Sequence, residues 1–422
     1  MSKVKLSEIG TFKNGLNFSA ERVLSGCKMI GVPDFGDNYL AKLDGLKEID
    51  EDIVSTDYLL QDNDILFVRS NGNKNLVGRA MLIEKIKEKV TFSGFCIRFR
   101  ITNNNVNPLY MLYLFKSPLF RKFFSNTQQT SISNLNQEIL GNIEVELPTI
   151  GQQNRIVKVI HGITRKIENN KRINDNLEQQ AKLLYDYWFT QFDFPDESGK
   201  PYRSSGGKMV WNEQLKMEIP FSWVCSKMEN AIEAVRTGLN PRNNFKLGNG
   251  NIQYITVKNL CLNGSLDFSG CDTIDEQAKQ IIHRRSDIQI DDILFASIAP
   301  LGRCYLIQEN PTNWDINESV FSIRYNSSVL TAEYLYMNLQ SEAFVKRATA
   351  CSTGSIFKGI RINSLMDSEI ILPPLSVTKE FSKEIKPLFA LQKELDRETH
   401  TLIQLRDWLL PVLMNGQATI SD

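Results

Sequence analysis

The chain has 422 residues, of which 49 are Lys or Arg and 49 are Asp or Glu, so its formal net charge at pH 7 is zero. This length suffices for two to four domains with cores of their own. No apolar run is long enough to span a bilayer, and the N-terminus lacks the apolar core of a secretion signal. Seven scattered cysteines without a C-x-x-C pair indicate reduced thiols, so we expect a cytoplasmic protein.

The first predicted globule covers residues 1–150. Short apolar segments separated by Gly, Asn and Asp turns predict a mixed, strand-rich domain. The predicted strands are residues 29–32, 64–68, 80–83 and 95–101. A helix is predicted to begin at Pro108, because proline suits the first turn of a helix.

Charge is unevenly distributed along the chain. Residues 1–65 carry 7 Lys or Arg and 12 Asp or Glu, whereas residues 66–132 carry 11 basic residues and only 2 acids. Residues 343–362 carry 4 basic residues and no acid. A polyanion responds to such local fields and not to the summed charge. The two basic segments therefore favour a nucleic-acid partner, with an ordinary solvated basic face as the alternative.

Two polar loops of the first globule are candidates for contacting DNA. One follows the apolar segment 65–67, and the other follows the helix that begins at Pro108. Arginine can pair with guanine and asparagine with adenine through two hydrogen bonds, while lysine neutralises phosphates. The candidate residues are Arg69, Ser70, Asn71, Asn73, Lys74, Asn75 and Arg79 in the first loop and Thr127, Gln128 and Gln129 in the second. Ordinary surface turns are the alternative interpretation.

A long helix is predicted over residues 151–192. Its apolar residues recur at alternating spacings of four and three, with Asn170 and Asn174 in the middle, which is the pattern of a coiled-coil seam. Gly162 weakens the helix, so a bend or restart is expected there. Residues 193–218 are rich in Gly, Ser and Asp and predict an exposed polar connector with little structure of its own.

The second predicted globule covers residues 219–372, and residues 373–422 form a second long helix with a C-terminal tail. The predicted strands of this globule are residues 252–257, 293–296, 304–307 and 320–325, and a helix is predicted at 332–339. The second long helix repeats the apolar seam and contains Pro387, where another bend or restart is expected. The candidate DNA-contacting residues are Arg242, Asn243, Ser297, Arg303, Thr353, Ser355, Lys358 and Arg361.

The two halves of the chain repeat each other at a distance of about 225 residues. The segment 64–67 (DILF) recurs at 292–295, and the segment 14–17 (NGLN) corresponds to 237–240 (TGLN). A long helix with an exposed apolar stripe is not stable alone, so the two helices are expected to pack as an antiparallel coiled coil. The alternative is that each helix folds back over its own globule. The predicted fold class is α+β, with two similar mixed α/β domains separated by two long helices in a pseudo-two-fold duplication.

The chain carries no recognisable catalytic signature. It lacks a G-x-x-x-x-G-K-[ST] phosphate loop and a G-x-S-x-G elbow. The segment 107–110 (NPLY) superficially resembles the Asn-Pro-Pro-Tyr motif of amino-methyltransferases but lacks its second proline. The adjacent carboxylates at 50–52 and 291–292 would point apart on a turn, and the three histidines stand away from any cysteine cluster. The chain is therefore predicted to bind and not to catalyse, with no metal and no cofactor.

Leu147-Pro148 precedes the first long helix, which starts with Gln152-Gln153 and Ile156, and residues 372–374 (LPP) precede the second. Residues 219–223 (IPFSW) open the second globule. Together with the two DILF segments, this order of parts resembles the specificity subunits of type I restriction–modification systems over nearly the whole chain. One departure is that the second helix begins with residues 375–378 (LSVT) and not with a glutamine-rich segment.

The resemblance implies two target-recognition domains, each reading one half of a bipartite site in double-stranded DNA. It also implies that the helix pair sets the spacing between the half-sites and docks two methyltransferase subunits, which restriction and translocase subunits would join. Adenine methylation and ATP-driven cleavage would belong to those partners, so this chain is expected to be a non-catalytic subunit. The alternative is a coiled-coil interaction scaffold that binds no DNA.

Overall fold

The computed structural model describes residues 2–17, 26–36, 39–73, 76–118, 120, 135–350 and 359–420. The chain divides into two compact units. Unit 1 comprises residues 1–170 and 397–422, and unit 2 comprises residues 171–396.

The strands of unit 1 form two sheets and one additional strand pair within the described residues. The strands are β1 Ser2–Lys5, β2 Gly10–Asn14, β3 Gly26–Ile30, β4 Lys47–Asp50, β5 Ile65–Val68, β6 Ala80–Leu82, β7 Val90–Phe92, β8 Cys96–Ile101 and β9 Glu144–Leu147. The helices are α1 Leu6–Ile9, α2 Pro108–Lys116, α3 Gln137–Gly141 and the long helix α4 Ile150–Tyr185, which continues into unit 2. Strands β2, β8, β5 and β6 form an antiparallel sheet in that order, β3 lies between β4 and β7, and β1 pairs with β9.

Unit 2 repeats this arrangement. Its strands are β10 Met209–Asn212, β11 Met217–Pro220, β12 Val224–Lys227, β13 Ile232–Thr237, β14 Ile252–Ile255, β15 Asp272–Ile274, β16 Ile293–Ala296, β17 Cys304–Leu306, β18 Trp314–Ile316, β19 Val320–Tyr325 and β20 Glu369–Leu372. Its helices are α5 Glu276–Ser286, α6 Ala332–Gln340, α7 Glu342–Ala350, α8 Ile362–Met366 and α9 Leu375–Met414, the last of which continues into unit 1. The sheets have the orders β13-β19-β16-β17, β15-β14-β18 and β12-β20, with β10-β11 as an additional pair.

The repeated DILF segments form the central strand of the larger sheet in each unit. All four residues of β5 are buried, because its two faces contact different cores. Ile65 and Phe67 pack with helix α2, whereas Leu66 and Val68 pack with the sheet of β3 and β7. In unit 2, Ile293 and Phe295 of β16 likewise pack with helix α6. A strand covered on both faces requires a continuous apolar run, which is why this motif repeats.

Most predicted elements are confirmed within one or two residues at their ends. The strands predicted at 64–68, 80–83, 95–101, 293–296, 304–307 and 320–325 are present, as is the helix beginning at Pro108. Asn107 caps that helix, since its Oδ1 accepts hydrogen bonds from the backbone N–H groups of Leu109 (2.9 Å) and Tyr110 (3.2 Å). The strand predicted at 29–32 is displaced. The chain pairs over Gly26–Ile30 and then turns, because Val32–Asp34 forms a 3-10 helix with a proline in its first turn.

The repeated glycines Gly15 and Gly238 mark a close approach between backbones. A Cβ atom on Gly15 would overlap the carbonyl of Ser93, and one on Gly238 would overlap the carbonyl of Ile316. Each glycine therefore lets the segment that follows β2 or β13 lie directly against the strand β7 or β18.

Helices α4 and α9 pack against each other in antiparallel directions, as predicted. Within unit 1, Ile160 of α4 shares a core with Leu413 of α9, and farther along α4 the Nδ2 of Asn170 donates to Oε2 of Glu398 at 2.7 Å. Within unit 2, the Nδ2 of Asn174 donates to Oδ1 of Asp396 at 2.6 Å. The predicted seam positions Asn170 and Asn174 are buried and half-buried, respectively.

The same helices also pack against the globules, so the alternative in which each helix folds back over its own globule holds in part. Ile156 and Ile160 lie in the core of the first globule, and Phe381 and Ile385 lie in the core of the second. Of the predicted bend or restart, a restart does not occur: α4 is continuous through Gly162, and α9 is continuous through Pro387. The tertiary contacts along both helices outweigh the local weakness of these residues. No helix in the described ranges is long and apolar enough to cross a membrane.

The connector 193–218 has a defined structure, which corrects the expectation of a loop with little order. Phe194 stacks on Tyr202 at 4.7 Å and on Trp223 at 5.0 Å between ring centroids. The carboxylate of Asp193 accepts hydrogen bonds from the backbone N–H (2.7 Å) and the hydroxyl (2.6 Å) of Ser204. Strands β10 and β11 then form a hairpin. The Gly and Ser content of the segment concealed the aromatic contacts that Phe194 makes within the connector and with Trp223 outside it.

Candidate nucleic-acid interface

The loop between β5 and β6 uses part of its polar chemistry internally. Arg69 is half-buried, and its Nη1 donates to the carbonyl of Gly94 at 3.3 Å. The Oδ1 of Asn71 accepts a hydrogen bond from the backbone N–H of Asn73 at 2.7 Å, which closes a turn. Asn73 is exposed, whereas Ser70 and Arg79 are half-buried. Lys74 and Asn75 lie outside the described residues.

The corresponding loop of unit 2 is more buried. The hydroxyl of Ser297 donates to the carbonyl of Ser319 at 2.7 Å, and only 7% of Ser297 is exposed. The Nη1 of Arg303 donates to the carbonyl of Val257 at 3.4 Å. Both side chains therefore support the loop. The candidates of the second polar loops, Thr127, Gln128, Gln129, Thr353, Ser355 and Lys358, lie outside the described residues.

Arg242 and Asn243 lie on an exposed loop between β13 and β14 that is anchored by contacts with Tyr254. Both residues are exposed, and the segment 238–251 around them contains no acidic residue. The loop is anchored because the hydroxyl of Tyr254 donates to the carbonyl of Leu239 at 2.6 Å. The ring of Phe245 packs edge-on against Tyr254 at 5.5 Å. A polar loop held in this way can present its side chains to a base edge at little entropic cost. Another exposed candidate, Arg361, precedes helix α8.

Two arginines of the basic segment 66–132 are structural. Arg98 is 7% exposed and donates to the carbonyl of Asp57 at 2.9 Å, and burial lowers its pKa. Arg100 forms two hydrogen bonds of 2.7 Å with the buried carboxylate of Asp64, which raise the pKa of the guanidinium. The charge count of this segment thus overstates the charge that is available to a partner.

The same ion pair recurs in unit 2. Asp292 accepts hydrogen bonds from Nε and Nη2 of Arg324, both at 2.8 Å, and this pairing raises the pKa of Arg324. The aspartate of each DILF segment therefore neutralises an arginine of the neighbouring strand β8 or β19. In the described part of the chain, no three His, Cys, Asp or Glu side chains are grouped as metal ligands.

The sequence is similar to a known family of proteins. Residues 1–179 and 222–405 both match the type I restriction modification DNA specificity domain. The chain belongs to this family. The predicted family and the predicted role in DNA recognition, with two such domains in one chain, are thereby confirmed.

Relatives of this specificity protein occur in archaea and bacteria. It is 23% identical over 338 residues to the type I restriction enzyme MjaIX specificity subunit of Methanocaldococcus jannaschii, an alignment that covers 79% of this chain and 73% of the relative. It is 20% identical over 418 residues to the EcoKI specificity subunit of Escherichia coli, covering 94% and 84% of the two chains.

A solved structure shows the same fold. The S subunit of the type I restriction–modification system of M. genitalium superposes with a TM-score of 0.58 at 14% identity, covering 98% of this chain and 95% of that one. The predicted fold class, two mixed α/β domains with two long helices, is confirmed.

Proposed function

We propose that this specificity protein reads a bipartite site in double-stranded DNA, with residues 1–150 contacting one half and residues 219–372 the other. The helix segments 151–192 and 373–422 set the spacing between the half-sites, and the connector 193–218 joins the two parts. The observation that carries the proposal is that both units share one strand order while their exposed loops differ in sequence. Similar frames with different loops suit the recognition of two different base sequences.

The contact residues are proposed in two groups. The exposed residues Arg242, Asn243 and Arg361 are proposed to contact bases or phosphates, as is Asn73 on the exposed part of the β5–β6 loop. The half-buried residues Arg69, Ser70, Asn71, Arg79 and Arg303 and the buried Ser297 shape the loops that carry those contacts. The candidates outside the described residues, including Lys74 and Gln128, complete the proposed interface.

The long helices are proposed to dock two methyltransferase subunits, which restriction and translocase subunits join in the cytoplasm. Both helices expose large apolar side chains away from their shared seam: Leu183 is 68% exposed and Trp408 is 64% exposed. Exposed side chains of this size on a helix are typical of interaction surfaces. Methylation and cleavage belong to these partners, and the chain itself supplies no catalytic group and no cofactor.

The test is DNA binding by the chain in complex with its methyltransferase partner. Arg242→Ala is expected to impair recognition of the second half-site only; a lost base contact relaxes sequence choice there, and a lost phosphate contact weakens all sequences alike. Arg203→Ala, which removes an exposed cation from the connector, is the matched control. Binding that depends on neither salt nor sequence would favour the scaffold alternative and contradict the proposal.

A further inference from the structure

Helix α5 distinguishes the two globules. It occupies the connection between β15 and β16 and carries Lys279, His283, Arg284 and Arg285. The equivalent connection of unit 1, between β4 and β5, contains two 3-10 helices, Glu51–Ile53 and Thr56–Tyr58. Residues 51–64 contain five acidic residues and no basic residue. The same position in the fold thus carries a basic helix in one unit and an acidic segment in the other.

The basic side of α5 lines an open groove of about 840 Å³ within unit 2. Lys279, His283 and Arg284 line the side of the groove formed by α5, where Glu276 and Asp287 also contribute, and the segment 310–312 forms another wall. Lys279 donates to the carbonyl of Thr312. Arg284 is exposed, and no ion pair to it is found among the described residues. Its charge is therefore available to a partner.

The helix is firmly fixed at its C-terminal end. The hydroxyl of Ser286 donates to Oδ1 of the buried Asp315 at 2.6 Å, and the Nδ1 of His283 lies 3.2 Å from Oδ2 of the same carboxylate. The backbone N–H of Ile316 also donates to Asp315 at 2.8 Å. These bonds join α5 to strand β18, so that Arg284 projects from a rigid support.

The helix is also joined to the loop that carries Arg242. Ala278 and Ile282 of α5 share a core with Tyr254, and Phe245 of the loop packs against this core. The Nε of Arg285 donates to the hydroxyl of Thr237, just before the loop, at 3.2 Å. If the loop contacts base edges, α5 is held close to the DNA backbone beside them.

We propose that helix α5 is a DNA-phosphate-binding element of the second globule, in which Arg284 and Lys279 neutralise backbone phosphates next to the base pairs contacted by the Arg242 loop. Electrostatic contacts then contribute more to the binding free energy at the second half-site than at the first, because the acidic segment 51–64 supplies no phosphate contact. This inference rests on the proposed function. Phosphate contacts of this kind position a protein and do not select a sequence.

The competing explanation is structural. Cations in the last turn of a helix interact favourably with its dipole, which contributes to helix stability without any ligand. The two explanations differ in what they predict: a dipole partner affects thermal stability, whereas a phosphate contact affects the dependence of DNA affinity on salt.

The experiment uses the full chain in its complex with the methyltransferase partner and duplexes that contain the bipartite site. For Arg284→Ala, the plot of log affinity against log salt concentration is expected to become shallower by about one unit, because one fewer counterion is released. Lys279→Gln is expected to act in the same direction, and Arg284→Lys to restore the wild-type slope. Gln277→Ala, on the same helix but outside the groove lining, is the control.

Four results overturn the inference. These are an unchanged slope in Arg284→Ala, a lower melting temperature with an unchanged slope, a changed base preference in place of uniform weakening, and weaker association with the methyltransferase at an unchanged slope. The last result would assign the helix to a protein partner. If the wild-type complex shows no preference for a bipartite site, the proposed function itself fails. This result distinguishes failure of the proposed function from failure of the inference about α5.

Discussion

Replacing Asp292 by alanine is expected to destabilise the larger sheet of the second globule and to leave the first globule unchanged. Asp292 is 1% exposed and accepts four hydrogen bonds. The donors are the backbone N–H of Gln289 (3.0 Å), the hydroxyl of Ser322 (3.2 Å), and Nε and Nη2 of Arg324 (both 2.8 Å). The substitution leaves the guanidinium without its main partner.

The magnitude follows from this geometry. Removing one member of a buried ion pair costs about 3–5 kcal/mol, because the other charge stays buried without compensation. Arg324 retains two contacts with Asp287, since its Nη1 lies 3.2 Å from the carboxylate and its Nη2 donates to the backbone carbonyl at 2.6 Å, so a value near the lower limit, about 3 kcal/mol, is expected. With a urea dependence of about 2 kcal/mol/M, this corresponds to a decrease of about 1.5 M in the unfolding midpoint.

The assay must resolve the two globules, because a chain with two units need not unfold in one transition. Hydrogen exchange measured on peptides from β16 and β19, at increasing urea, reports the second globule, and peptides from β5 and β8 report the first. Asp64→Ala is the matched variant, since Asp64 pairs with Arg100 in the same way. It is expected to shift the peptides of the first globule only.

A double variant tests the reasoning itself. Asp292→Ala combined with Arg324→Met removes both charges, and most of the lost stability should return because no unpaired guanidinium is left. If the double variant is as unstable as Asp292→Ala, or if Asp292→Ala shifts both globules equally, burial of an uncompensated charge is not the cause.

Three further predictions concern other contacts. Gln153→Ala is expected to lower the free energy of unfolding by about 1–3 kcal/mol and to increase hydrogen exchange in the first turn of α2, because it removes hydrogen bonds to three backbone groups. Unchanged exchange in that turn would contradict this. Phe381→Ala should lower the unfolding free energy of unit 2 by about 3–5 kcal/mol, whereas the control Leu391→Ala, at an exposed position, should change it by about 0.5 kcal/mol or less. Hydrogen bonds from Ser204 lower the pKa of Asp193, so the stability they contribute is present above the unfolded-state pKa of about 3.9 and is lost as pH falls through the lower folded pKa. The protection factors of the connector amides, which are corrected for the pH dependence of intrinsic exchange, should therefore fall on acidification in the wild type, and an equal fall in Asp193→Asn would refute this origin.

The strands and helices that are specified by residues close together in the sequence were predictable. The four-residue apolar run of β5 and its repeat β16 identify doubly covered strands, and Asn107-Pro108 identifies the start of a helix. The spacing of apolar residues along α4 and α9 also identifies their shared seam, because a 3.6-residue period places such residues on one face. No restart occurs at Gly162 or Pro387, since residue preferences yield to packing over a long helix.

The two helix starts show how different residues fulfil one role. Gln153 donates to the carbonyls of Asn105 and Pro148 and so ties α4 to the first globule. At the equivalent position of α9, the backbone carbonyl of Thr378 accepts a hydrogen bond from the hydroxyl of Thr331 at 3.3 Å. Here Ser382, whose Oγ lies 2.8 Å from Oε2 of the buried Glu333, supplies the additional polar contact. The second helix therefore lacks a glutamine-rich start and uses different hydrogen bonds, but its first turns are still bonded to the second globule.

The candidate interface was only partly predictable, because charge and exposure depend on distant partners. Arg98 and Arg100 count as available cations in the sequence, yet their acceptors Asp57 and Asp64 lie 36 or more positions away. The basic face of α5 was missed for the opposite reason, since nearby acidic residues cancel its charge along the chain.

The sequence by itself determined the duplication, the central strands, the long helices and the family, because these follow from repeated and periodic local patterns. Only the tertiary structure decided which arginines are engaged in internal contacts, how the connector folds, and which helix lies beside the Arg242 loop. Those outcomes depend on contacts between residues far apart in the chain, and such contacts leave no periodic signal.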